Sequence, residues 1–355
     1  MKTEEHRRIA ITSRGGVSDF IRDMPKVELH LHLDGTLEPG MKILLAQRNG
    51  IPIDPADEAG IRHLNTSHND LPSFLHAHYS NMDVFRTAED YEDLAFQYLT
   101  TAAANNVRHT EMFFDPQLHT RRGIPFATQV TGYQRATDRA RRELGITSEL
   151  IMCFLRDFGA DYAMATLTEA LPFRHWIIGV GLDSDEAGHP PAEFAHVFDR
   201  ARREGFLITV HCDVDQRDSA EHIRQAVVDV AADRIDHGIN ILEDPGLVAA
   251  ARERNLGFTV CPLPYGTHVV GIEPELARIA AMLEEDLLVS VGSDDPPYFG
   301  GYLDDNLQAC LDHGFSREMV LTMQRNAIRT AWVPAGERER LLAELEEFAR
   351  RWDAT

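Results

Sequence analysis

Eight short apolar or β-branched runs alternate with helix-like stretches along this 355-residue chain, which predicts an α/β fold, a (β/α)8 TIM barrel. Two further observations sharpen that reading. The first run carries two histidines on one face, His30 and His32, a His ends the fifth and the sixth runs, and two Asp residues follow the eighth. A doubly wound open sheet is the alternative, but no G-x-G-x-x-G follows the first run, which weakens a dinucleotide reading.

Taken in order, residues 1 to about 23 read as a loosely attached leader. The strand runs are Val27–Leu33, Val107–Phe114, Glu149–Phe154, Trp176–Leu182, Phe206–His211, Arg234–His237, Gly257–Cys261 and Leu287–Val291. Helix-like segments such as Ala88–Asn105, Pro191–Glu204 and Glu221–Ala232 lie between several of them. The stretch from about 36 to 105 exceeds one crossover helix and is expected to hold a helical cap over the barrel mouth. One barrel domain is therefore expected over residues 24–335. Residues 336–355 should form a charged helix packed on the barrel, and Trp332 with Glu337–Arg351 is expected to cover its outside.

Composition narrows the function classes. The chain is 43% hydrophobic and 26% charged, which suits a folded protein. Its net charge of -22 disfavours phosphate backbones and anionic membranes, so neither nucleic acid nor membrane is an expected partner. Cys153, Cys212, Cys261 and Cys310 are scattered, which argues against a disulfide framework or a cysteine-rich zinc site and fits a reducing compartment. With no transmembrane-length run and a polar N-terminus, a cytoplasmic location is expected; a homo-oligomer is left open.

The chemistry concentrates at strand ends. His30 and His32 lie on the first run, His211 ends the fifth, His237 ends the sixth, and Asp294-Asp295 follow the eighth. In a barrel these ends converge on the face where active sites form. Two buried imidazoles on one face need partners for their nitrogens, from ordinary hydrogen bonds or from a divalent metal. Three imidazoles and a carboxylate suit a catalytic zinc with one position open to water.

The chain resembles the adenosine/adenine deaminase family of the amidohydrolase superfamily over roughly residues 24–335. The resemblance rests on Pro25–Gly35, His211, Asp236-His237-Gly238, Thr259–Pro262 and Ser293–Pro296. Glu111–Gln117, Gly179–Ser184 and Tyr298–Tyr302 are similar to the adenine deaminase branch. The resemblance implies a Zn2+ held by His30, His32, His211 and Asp294, with Fe2+ and Mn2+ also compatible with these donors. It implies that His237 orients the attacking water and takes its proton, and that Asp295 hydrogen-bonds a purine ring nitrogen. Asp34, Asp183, Glu186 and Phe113 are the expected substrate contacts. Glu186 points toward a free base and Asp34 toward a nucleoside.

One motif departs from the family. Its fifth-strand motif is His-Ala-Gly-Glu, whose Glu protonates the purine ring; here His211-Cys212-Asp213-Val214-Asp215-Gln216 puts Val214 in that place. Asp213 or Asp215 could supply the carboxyl group if the loop register has shifted. After the seventh run, Cys261-Pro262-Leu263-Pro264-Tyr265 replaces the usual Cys-Pro-x-Ser-Asn, either as an altered pocket or as loop drift. Three readings follow: an aminopurine deaminase, adenine first; a metal-dependent amidohydrolase acting on another amino-heterocycle or C–N bond; or a catalytically silent metal- and ligand-binding relative. His76, His78, His109, His119, His189, His222, His268 and His313 are expected on the surface or in loops, and Cys212 as a core thiol.

Overall fold

The computed structural model describes residues 16–68, 70–212, 218–264 and 272–353. Its strands are β1 (Lys26–Glu28), β2 (Val107–Phe114), β3 (Thr147–Leu155), β4 (Ile177–Asp183), β5 (Leu207–Cys212), β6 (Arg234–His237), β7 (Gly257–Val260) and β8 (Leu288–Val291). Each pairs in parallel with the next in the sequence order, giving the expected (β/α)8 barrel. These strands read as near-continuous apolar runs because they are covered on both faces, by helices outside and by one another's side chains inside.

β1 is shorter than its apolar run. Beyond Glu28 the chain bends, yet it stays wedged between β8 and β2. The His32 N–H donates to the Asp294 carbonyl at 3.0 Å, and the Leu33 N–H donates to the Phe113 carbonyl at 2.8 Å. The Ser293 and Asp294 N–H groups both turn onto the His30 carbonyl, at 3.1 and 3.2 Å. His30 and His32 therefore sit on the seam that closes the barrel.

The insertion after β1 supplies α2 (Pro39–Asn49), α3 (Glu58–Asn65) and α4 (Leu71–Asn81) as a cap, then α5 (Ala88–Ala104) as the crossover helix; α1 is the short Asp19–Asp23. Local chemistry sets these boundaries. Asp70 caps α4 by accepting from the Ser73 N–H, with Ser73 returning a bond to Asp70. Thr87 and Asp90 form the same box on α5, whose Tyr91, Leu94, Ala95, Tyr98, Leu99 and Ala102 recur at helical spacing and are buried.

Two expectations change. The leader is held from Phe20 onward, because α1 buries Phe20 and Ile21 and packs Phe20 against Phe348 and Trp352 of the C-terminal helix (Ala335–Asp353), both at 5.6 Å. Trp332 seals the floor of the barrel rather than covering its outside. Its ring lies 4.2 Å from the Arg234 guanidinium and occupies the space a Cβ on Gly179 would need. On its inner side, Arg234 pairs with Glu111, both fully buried.

Candidate metal centre and active site

The three imidazoles expected at the metal meet. His32 Nε2 and His211 Nε2 are 3.1 Å apart, and Asp294 Oδ1 lies 3.6 Å from His30 Nε2 and 3.5 Å from His32 Nε2. His237 Nε2 lies 3.9 Å from Asp294 Oδ2. Four donors placed ~2.0–2.1 Å from one centre would be separated by roughly 3.3 Å, so these spacings fit a tetrahedral ion. His30 Nε2 is buried with no hydrogen-bond partner among the described residues, the state in which a lone pair is left for a metal.

The layer beneath fixes the rings. Asp236, wholly buried, accepts from the Thr209 hydroxyl at 2.6 Å and the Thr259 hydroxyl at 2.8 Å. Because Thr259 gives its proton to Asp236, its oxygen accepts from His30 Nδ1–H, 2.8 Å away. His30 Nε2 is thereby left toward Asp294. Asp236 Oδ2 is also 3.3 Å from His211 Nδ1, and Asp183 Oδ2 is 3.6 Å from His32 Nδ1. Each ring turns its Nδ1 to a carboxylate or hydroxyl and its Nε2 inward.

Electrostatics sort these groups. Burial, reinforced in His211 by the neighbouring imidazoles, lowers His32 to about 3 and His211 far below its ordinary value. Burial and His30 lower His237 to about 4, so it is neutral at pH 7 and able to take a proton. Burial would lower His30 too, but the adjacent Asp294 outweighs it and raises that ring. Burial would raise Asp294, yet His30 and the other imidazoles hold it well below the usual carboxylate range. Asp295 goes the other way: burial and the charge on Asp294 push it well up, so it keeps its proton and can donate. His237 (φ 60°) and Asp294 (φ 61°) both lie in the left-handed backbone region.

The expected substrate contacts fare differently. Asp183 lines the site, its carboxylate buried beside His32 and Asp115. Phe113 does not face a pocket: it is fully buried beneath the imidazoles, with its ring 5.2 Å from His30, 4.9 Å from His32 and 5.3 Å from His211. Asp34 is turned inward and used up. It accepts from the Asp115 N–H at 3.0 Å and the Tyr133 hydroxyl at 3.0 Å, and lies 3.1 Å from His119 Nε2. Glu186 is likewise enclosed, paired with His222 and 3.5 Å from Arg156 Nη1. Asp213, Val214, Asp215, Tyr265 and His268 lie outside the described residues.

Some residues were missed. Asp115 brings a carboxyl group beside Asp183 and His32, pushed well up by burial and by Asp183; it is the first polar residue past β2, the signal that found His211 and Asp294. Cys261 Sγ comes within 4.8 Å of donor atoms of His30, His237 and Asp294. Burial and Asp294 keep that thiol protonated, which makes it a poorer donor than the histidines. Of the histidines expected on the surface or in loops, His78, His109, His119 and His222 are buried. Each has neighbours from elements remote in sequence, which no local pattern displays.

A family model described as adenosine deaminase matches residues 25–348. The chain belongs to the adenosine deaminase family. It is 44% identical over 331 residues to an adenine deaminase of Sphingopyxis alaskensis, covering 93% of this chain and 96% of that one. An adenine deaminase structure from Arthrobacter aurescens superposes with a TM-score of 0.88 at 37% identity, covering 92% and 99% of the two chains. An amidohydrolase from Burkholderia ambifaria with bound zinc superposes at 0.87 and 27% identity, covering 98% of each. The family member described here is thus an adenine deaminase-like hydrolase acting on C–N bonds, in the amidohydrolase superfamily. No helix among its described residues is long and apolar enough to cross a membrane.

Proposed function

We propose that this chain is a zinc-dependent hydrolytic deaminase of an aminopurine, with adenine as the first substrate to test. The observation that carries this is the convergence of His30, His32, His211 and Asp294 with His237 and Asp295 at one end of the barrel. Those four residues would hold the ion, which when bound makes water nucleophilic near neutral pH. His237 accepts the proton of the attacking water. Asp295 donates to a ring nitrogen of the purine and fixes its plane. Asp213 or Asp215 supplies the carboxyl group that protonates the ring, standing in for the family's Glu whose place Val214 takes, and ammonia leaves. The adenine deaminase named among the relatives and its structural neighbour support the substrate class. Water, a small amino-heterocycle and no macromolecule are the partners in this reading.

The test is ammonia release by zinc-loaded protein from adenine, adenosine and a panel of amino-heterocycles. Turnover of adenine, lost in Asp295→Asn, is the expected result. Silence across the panel with zinc bound would overturn the proposal.

A further inference from the structure

The cap helix α4 presents Phe74 and His78 on one face, one helical turn apart. That face is clamped to the barrel by Asn81, which donates to the Tyr298 hydroxyl at 2.6 Å and the Asn65 side chain at 3.0 Å, and accepts from Lys42 at 2.6 Å. His78 is held within a set of rings: stacked on Phe74 at 5.7 Å, and edge-on to Tyr298 at 5.6 Å. Tyr298 itself follows Asp294-Asp295 by one short turn. His78 is therefore packed where the cap meets the turn that follows Asp294-Asp295, near enough to feel the charges of Asp34 and Asp294 and to be felt by His32.

The ring is fixed but its chemistry is unused. His78 is only 4% exposed, and its buried Nδ1 has no hydrogen-bond partner among the described residues. Other buried histidines each use at least one ring nitrogen: His30 with Thr259, His109 with Thr147, His119 with Asp34 and His222 with Glu186. Leaving a buried polar nitrogen unpaired is costly, and such groups are scarce in folded proteins. A hydrophobic ring would fill the same space beside Phe74 without that cost. Burial keeps the imidazole neutral, lowered to about 4, so at pH 7 it offers one N–H donor and one acceptor nitrogen.

We propose that His78 is a substrate contact delivered by the cap, hydrogen-bonding the edge of the bound heterocycle that faces away from the metal ligands. The inference rests on the aminopurine reading and adds a specificity residue to it. With the reacting carbon held at the His30/His32/His211/Asp294 end, the five-membered ring of a purine is the part left for the cap. A neutral imidazole suits either nitrogen of that ring, donating to the bare ring nitrogen or accepting from the N–H. A contact of this kind is made before and during reaction alike, so it acts on binding rather than on the chemical step.

The experiment compares wild type, His78→Phe and His78→Gln, all zinc-loaded, by steady-state kinetics on adenine and by calorimetric binding of hypoxanthine. Phenylalanine keeps the ring packing and removes both nitrogens, while glutamine restores a donor and an acceptor and serves if the Phe variant fails to fold. Expected for His78→Phe are a KM roughly 3–10-fold higher, hypoxanthine affinity weakened by a similar factor and kcat within about twofold, with His78→Gln in between. Unchanged KM and hypoxanthine affinity in a folded His78→Phe, with active wild type, would overturn the role of His78 alone. A wild type silent toward adenine would instead overturn the aminopurine reading, and this inference with it.

Discussion

Replacing Asp236 with alanine tests whether the layer beneath the imidazoles sets the metal site. Asp236 accepts from the Thr209 and Thr259 hydroxyls, and through Thr259 it fixes which nitrogen of His30 carries the proton. Its Oδ2 also faces His211 Nδ1 at 3.3 Å. Two of the four proposed ligands thus take their orientation from one carboxylate. Loss of such outer partners costs about 10–100-fold in metal affinity, or roughly 1.4–2.7 kcal/mol. The fold suffers as well. Two buried hydroxyls lose an acceptor, but Thr209 keeps the Arg234 carbonyl at 3.2 Å, so about 2–4 kcal/mol of stability is expected to go. Zinc affinity is read by competition with a chromogenic chelator and stability by thermal melting. Asp236→Asn keeps the shape and one acceptor oxygen, so it should fall between wild type and alanine. A folded Asp236→Ala that binds zinc within twofold of wild type would refute the argument.

Three further outcomes follow from the same geometry. Gly35→Ala would place a methyl group 1.7 Å from Asp295 Oδ1, so turnover should drop on the order of 100-fold with zinc content unchanged; metal analysis beside kinetics separates the two. Protons compete with zinc only for imidazoles that hold them. His32 at about 3 and His211 far below 6.5 are already neutral, whereas His30 is raised. The logarithm of zinc affinity should therefore fall by about one unit per pH unit below pH 6.5, where three ordinary imidazoles would give a slope near three. Arg234→Met strands buried Glu111, which Arg234 now holds below its usual value against burial, and should cost about 3–5 kcal/mol at pH 7. In that variant burial raises Glu111, so the loss should shrink as pH falls and the group takes a proton; chemical denaturation at pH 7 and pH 5 shows whether it does.

The barrel was legible because its strands carry a two-sided apolar signature and alternate with helix-like stretches such as Ala88–Asn105. The metal residues were legible for a related reason: the barrel gathers strand ends, so a His or Asp placed there is already near the others. What the sequence could not display was which direction a residue faces once other elements arrive. Phe113 and the ligands are all interior residues, but it supports them from below. Asp34 was expected at the substrate, and no local mark shows that Tyr133 and His119, far along the chain, would claim it.

 That separation is 99 residues for Tyr133 and 85 for His119, well beyond the reach of any helix or strand period. His78, expected on the surface or in a loop, is buried for the same reason, since its enclosure depends on Tyr298 from beyond β8.

His237 and Asp294 carry positive φ angles of 60° and 61°, a conformation that costs an ordinary side chain roughly 1–2 kcal/mol and glycine almost nothing. At these two positions folding and chemistry therefore favour different residues. A library selected only for heat resistance would be drawn toward glycine at 237 and 294, and its most stable members would have lost a proton acceptor or a metal donor. Selection that includes turnover would hold both residues and leave the strain in place.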